Sequence, residues 1–526
     1  MRKCQRLLVY LALKLKGQTI FMSTEKREMN TATNKAKLYQ LILFPMNNGA
    51  TNVYYILTMN FIAYYANGVL GLLLMFATTM VTVMRLFDAV TDPIIGALID
   101  RTSGKFGKFR PYMILGNGIM IVSSLLMYFG TRLISPELTW LKYTCFVLFY
   151  ALYVIGYTFQ TACTRSGQTC LTNDPKQRPL FTVFNTVASL IGMGLVQFLA
   201  PILSERFGGY NSAAFFDFMI PLAIIVSAIL TLLAVIGIWE KDRPEYFGVG
   251  GEQQKVKVKE YVAILKANKE LQRLMVAGAG CKLAFSIATN MTVLCMLYGA
   301  MMGNYGGLYL PMMIVGYVFS VPFFLLTVRT SQKHGQKASL VKYTRLALIM
   351  YVGVLALLIM WKQGVASVNL SLGPINIYTI LFILFFGIGY GAYYATADMP
   401  IPMVADCSDY ETYRSGRYIP GIMGTLFSLV DKLVSSLGST IVGIAVAMIG
   451  IHTLPDGNTP YAEGMHMVVI VLFCIVPMLA WIATLIAMKG YTLTGDRMKE
   501  IQEVNAKRKE GIAQGMSLEE AMEQWK

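Results

Sequence analysis

The sequence predicts an all-α membrane protein with twelve transmembrane helices in two six-helix halves. Three observations carry this: the scarcity of charge, the spacing of long apolar runs, and a short motif that returns six spans later. Of 526 residues, 55% are hydrophobic and only 14% charged, whereas soluble domains carry about 25% charged residues. Asp88 is the only acid between Glu28 and Asp92, and Arg85 the only base between Lys37 and Arg101. Apolar runs of that length reach across ~30 Å of hydrocarbon, which the shorter helices of a soluble core do not.

Apolar windows place the spans near residues 47, 77, 112, 141, 180, 215, 271, 306, 341, 374, 419 and 465, each ~20 residues or longer. Basic residues near span ends resist translocation. Of the 45 Lys and Arg residues, 38 fall in the termini and the loops on their side; Arg132, Lys142, Arg206 and Lys362 fall on the other. Both termini are therefore expected in the cytoplasm of an inner or plasma membrane. The net charge of +16 then reflects topology and contact with anionic membrane lipid, and no nucleic acid is required.

The segment Arg101-Thr-Ser-Gly-Lys-Phe-Gly107 follows the second span and Arg329-Thr-Ser-Gln-Lys-His-Gly335 the eighth, agreeing at five of seven positions. Two six-helix halves of equal orientation resemble the plan of major facilitator transporters, which rock around a midplane site. The expected organisation is a cytoplasmic N-terminal segment 1–46, a first half 47–239, a cytoplasmic central loop 240–270, a second half 271–489 and a cytoplasmic tail 490–526. Within residues 1–21 the apolar stretch Leu7 to Leu13 is too short to span, which leaves a basic surface helix or a translation start at Met22. The eight cysteines are scattered without a Cys-x-x-Cys pair and read as buried thiols.

An ionisable group at the bilayer centre costs ~2.5–3.5 kcal/mol, so such residues face a bundle interior or an aqueous cavity. Arg85, Asp88 and Asp92 lie at i, i+3 and i+7 on one helical face, with Thr91 at its edge. Two carboxylates a turn apart beside a hydroxyl suit a small monovalent cation or a shared proton. The alternative is a buried Arg85–Asp88 ion pair that joins helices and leaves Asp92 unexplained. In the second half, Lys432 can reach a carboxylate of the first half or a substrate hydroxyl, and Asp431 can pair with Lys282. Tyr390, Tyr393 and Tyr394 share a face of the tenth span; Tyr55 and one of that group, taken as Tyr393, are read as sugar-stacking rings, against the commoner reading of interfacial aromatics.

The string Arg85-x-x-Asp88-x-x-x-Asp92-Pro93-x-x-Gly96-x-x-x-Asp100-Arg101, then Gly107-Lys108-Phe109-Arg110-Pro111, resembles the glycoside–pentoside–hexuronide:cation symporter family, the melibiose permease group. Val404-Ala-Asp406-x-x-Asp409-Tyr410 and Lys432 extend the resemblance over roughly residues 45–490. It implies the major facilitator fold and uptake of a sugar or glycoside, driven by sodium, lithium or protons, with no cofactor beyond the coupling cation. It also implies a cation site of Asp88, Thr91, Asp92 and Thr158, with Thr91 where the family has Asn. The implied substrate positions are Asn52, Thr161, Arg165, Asn185, Ser428 and Lys432, to which Tyr55, Arg85 and Tyr393 are added. The loss of two family acids and the gain of Arg165 lean towards an anionic or differently shaped glycoside; Arg165 can equally be an end-of-helix charge. Asp100, Arg101 and Arg110, against Asp406, Asp409, Glu411 and Arg414, form opposite charges suited to a cytoplasmic gate. The rival readings are a lysolipid or drug carrier on the same fold and a transport-silent glycoside receptor. An enzyme is not expected, because the loops hold no nucleophile, metal or phosphate motif.

Overall fold

The computed structural model describes residues 35–100, 102, 104, 106–172, 177–243, 265–416 and 420–525. Among them the chain is helical, with one isolated bridge between Gly104 and Gly107 and no strand. The long helices are α1 (Met46–Ile56), α2 (Leu74–Asp100), α3 (Arg110–Tyr128), α4 (Thr139–Leu171), α5 (Gln177–Phe207) and α6 (Ala213–Ile238). After the central segment come α7 (Lys269–Ala288), α8 (Tyr305–His334), α9 (Gln336–Met360), α10 (Ile377–Thr396), α11 (Pro420–Met448) and α12 (Met465–Gly490). Each begins within five residues of its expected start. Among the described residues, ten helices are long and apolar enough to cross a membrane, or eleven if α7 and Met291–Met301, bent by 45°, form one span. The first expected span is α1 continued by π and α turns to Val69, which is compatible with twelve.

Local chemistry sets the helix ends. Asn268, Asn304 and Asn376 each accept a backbone N–H of the first turn of α7, α8 and α10, satisfying donors that have no partner within the helix. Gly335, at φ +84°, is the single residue between α8 and α9, a conformation that a side chain would strain. Small residues let helices approach where no hydrophobic force drives them together. A Cβ on Gly443 of α11 would meet Thr78 Oγ1 of α2 at 2.2 Å, so the crossing of these two helices is set by that glycine.

One end of the bundle is sealed between α1–α6 and α7–α12. The Tyr64 hydroxyl lies 2.9 Å from Thr292 Oγ1 and 2.7 Å from the Pro455 carbonyl. Asn67 exchanges hydrogen bonds with the His452 carbonyl and the Leu454 N–H, and Asn211 donates to the Leu454 carbonyl. The Tyr210 and Tyr305 hydroxyls meet at 2.8 Å. At the end that carries the termini, bonds run within each set of helices. Arg110 pairs with Asp242 and stacks on Trp239, while Glu411 binds Arg414 of its own helix and accepts from Asn268.

Of the expected gate residues, Arg110 pairs with Asp242, and Glu411 with Arg414 of its own helix. Arg101, the side chain of Asp100 and residues 1–34 lie outside the described residues. The tail from Asp496, whose charge reads as a solvated helix, is instead packed on the bundle. Its helix α13 (Gly495–Ala513) docks on Pro400–Ser415, with Asn505 donating to the Asp409 carbonyl and Arg508 to that of Tyr413. Six of the seven described cysteines are buried thiols, and Cys145 is half-buried.

Candidate cation and substrate site

Helix periodicity turns Arg85, Asp88, Thr91 and Asp92 of α2 inward, towards α4 and α11. Asp88 is 1% exposed and is contacted from three directions. Arg85 Nη1 lies 3.1 Å and Lys432 Nζ 2.8 Å from its Oδ2, and Thr158 Oγ1 lies 2.9 Å from its Oδ1. The same Lys432 ammonium is 2.6 Å from Asp92 Oδ2, and Arg165 reaches that oxygen at 3.6 Å. Thr91 Oγ1 donates to the Asp88 carbonyl and lies 3.1 Å from Thr158 Oγ1. All four residues of the expected cation site are therefore together.

The space between the two carboxylates is filled differently from the expectation of an open oxygen cage. Lys432, expected to reach either a carboxylate of the first half or a substrate hydroxyl, crosses from α11 and inserts its ammonium there. A buried carboxylate such as Asp88 without a counter-charge would carry a desolvation cost of several kcal/mol, and the ammonium offsets it there and pairs with the partly exposed Asp92. Arg85 and Lys432 together balance Asp88 and Asp92. Arg85 also sits 5.3 Å over the Tyr55 ring, which stacks on Tyr157. The Arg85–Asp88 pair considered from the sequence is present, and Asp92 has partners of its own. Arg165 is mostly exposed yet reaches Asp92, so it is both an end-of-helix charge and a neighbour of the cluster.

The remaining substrate expectations divide. Asn52 donates to the Asn48 carbonyl and side chain, and Asn48 to the Asn185 carbonyl, forming an amide ladder between α1 and α5. Thr161 bonds back to the Thr158 carbonyl in its own helix, and Ser428 is half-buried one turn before Lys432. Tyr393 is corrected: it is 2% exposed and packs on Tyr351 and Trp481, in the wall of α7–α12. Its neighbour Tyr394, about 100° round the helix, and Tyr390 stack at 5.4 Å and line a cavity of about 540 Å³.

That cavity lies between α1 and α5 on one side and α7, α8 and α10 on the other. Tyr55 lines it, as do Gln197 and Tyr317, whose hydroxyl donates to Gln197 at 2.8 Å. Lys282 projects into it, 2.5 Å from Asp398 and 3.7 Å from Asp431. Aromatic faces with a few convergent polar groups are what a sugar ring needs. Sequence reading named the Asp431–Lys282 pairing but passed over Asp398, Gln197 and Tyr317. Gln197 carried a signal, as an amide inside an otherwise apolar span; Asp398, at the end of its helix, carried none.

Comparisons with known proteins agree with this architecture. The inner membrane symporter YicJ of Escherichia coli (strain K12) is 25% identical over 490 residues, 91% of this chain and 96% of its own length. The isoprimeverose transporter of Lactiplantibacillus pentosus is 21% identical over 438 residues, 82% and 86% of the two. A crystal structure of a bacterial homologue of the human lysosomal transporter Spinster, inward-facing and unoccupied, superposes with a TM-score of 0.59. It is 14% identical and covers 87% of this chain and 98% of that one, a likeness of fold alone. The chain, a multi-pass membrane protein that matches over residues 44–495, belongs to the MFS/sugar transport protein family of transporters.

Proposed function

We propose that the protein is a secondary active symporter of an inner or plasma membrane, coupling entry of a monovalent cation (sodium, lithium or a proton) to uptake of a sugar or glycoside. The observation that carries this is the Lys432 ammonium held by Asp88 and Asp92 at 2.8 and 2.6 Å. A positive charge supplied by α11 occupies the cage that a coupling ion would take on α2. An entering cation neutralises the two acids, displaces Lys432 and frees the α2–α11 contact, and the released ammonium turns to a substrate hydroxyl. Ion occupancy and the relation of the two helix sets thereby become one equilibrium, as coupling requires.

The substrate lies in the cavity of Tyr55, Tyr390, Tyr394 and Gln197, with Lys282 facing its polar side. The residues 47–239 and 271–489 act as two rocking halves, with both termini cytoplasmic. On that topology the sealed end faces outward, and the arrangement is the inward-open member of the cycle. The names of the relatives, among them a symporter and an isoprimeverose transporter, support the reading. Its test is accumulation of labelled glycosides in proteoliposomes under sodium or proton gradients. Asp92→Asn is expected to abolish concentrative uptake; retention of uptake against a gradient overturns the coupling site.

A second reading has one observation in its favour. Leu190, Phe198 and Phe324 line the same cavity and are 55%, 42% and 42% exposed, so its apolar wall continues towards lipid. A lysolipid or drug carrier would use such an entrance. Competition of lysolipids against sugars for one site separates the two.

A further inference from the structure

The second copy of the loop motif, Arg329 to Gly335, takes no part in the site described above. In the first copy's surroundings, charge is met inside the protein: Asp242 accepts the N–H groups of Lys108, Phe109 and Arg110 and pairs with the Arg110 guanidinium. The α8–α9 hairpin has no such acid. From residue 271 to 397 the sequence contains no Asp or Glu at all. Lys337 finds the Tyr491 carbonyl at 2.5 Å. Arg329, Lys333 and Lys342 are exposed and, among the described residues, have no carboxylate partner.

These three bases border a cavity of about 420 Å³, with Thr330 and His334 beside them. The one-residue turn at Gly335 fixes their convergence. So do the Thr330–Tyr343 hydroxyl contact at 2.9 Å and the Ser339 hydroxyl bonded to the Thr327 carbonyl. Deeper along the hairpin the surface becomes apolar: Leu325, one turn below Arg329, and Ile349, two turns below Lys342, are 70% and 61% exposed. A positive pocket directly above an exposed aliphatic strip matches, in charge and in depth, the phosphate and the acyl chains of a lipid. Lipid phosphates lie at the depth of the three bases, at the membrane surface where the exposed aliphatic side chains begin.

We propose that the α8–α9 hairpin is a binding site for an anionic phospholipid, its phosphate among Arg329, Lys333 and Lys342 and its chains along Leu325 and Ile349. A headgroup with two phosphates binds more tightly than one with a single phosphate, because three bases converge. Each base near a membrane surface contributes about fivefold in affinity, so removing all three costs about a hundredfold.

The test is native mass spectrometry of the full-length protein titrated with cardiolipin, phosphatidylglycerol or phosphatidylcholine, with and without inorganic phosphate. Expected are retention in that order, resistance of bound cardiolipin to millimolar phosphate, and about a hundredfold loss in the Arg329→Gln, Lys333→Gln, Lys342→Gln triple variant. Lys362→Gln, at the other end of the bundle, is expected to bind as wild type. Cardiolipin binding within threefold of wild type in the triple variant, or equal retention of phosphatidylcholine, overturns the proposal. Displacement of the lipid by inorganic phosphate also overturns it and makes the pocket a phosphate site.

Discussion

Replacing Lys432 with Met keeps an unbranched side chain, one atom shorter, and removes the charge between Asp88 and Asp92. At an effective dielectric of about 20, an ammonium 2.8 Å from a carboxylate gains about 6 kcal/mol of Coulomb energy, before desolvation is subtracted. Removing one member of a buried pair costs about 3–5 kcal/mol. Asp88 keeps Arg85, and Asp92 is 22% exposed with Arg165 nearby, which puts the expected loss at the lower end, about 3 kcal/mol. A cation that binds the emptied cage restores stability by RT ln(1 + [L]/Kd), about 2.7 kcal/mol at a hundred times Kd. Thermal unfolding of purified Lys432→Met is therefore expected to start below wild type and recover almost fully with the coupling cation, with a steeper concentration dependence than wild type. Sodium, lithium and pH series identify the ion. A variant as stable as wild type without cation, and no more responsive to it, refutes the idea that Lys432 stands in the ion's place.

Four further variants probe particular contacts. Tyr394→Ala is expected to weaken solute affinity two- to tenfold in counterflow, the equivalent of an aromatic contact of about 0.5–1.5 kcal/mol. Tyr393→Ala is expected to spare affinity and lower thermal stability by about 3 kcal/mol or more; equal effects on affinity overturn the division of the two rings. Tyr64→Phe removes hydrogen bonds worth about 1 kcal/mol at the sealed end, and spin labels at Leu133 and Lys362 are expected to report longer distances in the variant. An unchanged distribution counts against the seal. Gly443→Val is expected to destabilise by about 1–3 kcal/mol through overpacking, with Thr78→Ala in the same chain recovering part of it; no recovery means that the α2–α11 crossing is not the point of conflict.

The bundle was legible because membrane spans are written locally: every helix start follows from an apolar window and the turn residues beside it. Arg85, Asp88 and Asp92 were legible together because a single helical period relates them. What joins Lys432 to Asp92 spans 340 positions, and no periodicity relates residues that far apart. The resemblance to a family marked Lys432 as functional, but not that its ammonium lies between the acids. Tyr390, Tyr393 and Tyr394 illustrate the limit within one helix. Their spacing puts them near one another, yet which ring meets the cavity depends on where α7, α8 and α12 pack around α10. Arg110 and Glu411, expected on opposite sides of a cytoplasmic gate, have Asp242 and Asn268 beside them in this arrangement, neighbours in space though not in sequence.

Asp431 and Lys432 are consecutive, and they hold opposite charges against opposite walls, Lys282 on α7 and the acids on α2. Successive side chains on a helix are locked about 100° apart, so α11 works as a two-sided key. It cannot turn out of one lock without moving in the other. A rotation of α11 that withdraws the lysine therefore carries the aspartate with it, and the charge beside the aromatic cavity changes in the same stroke.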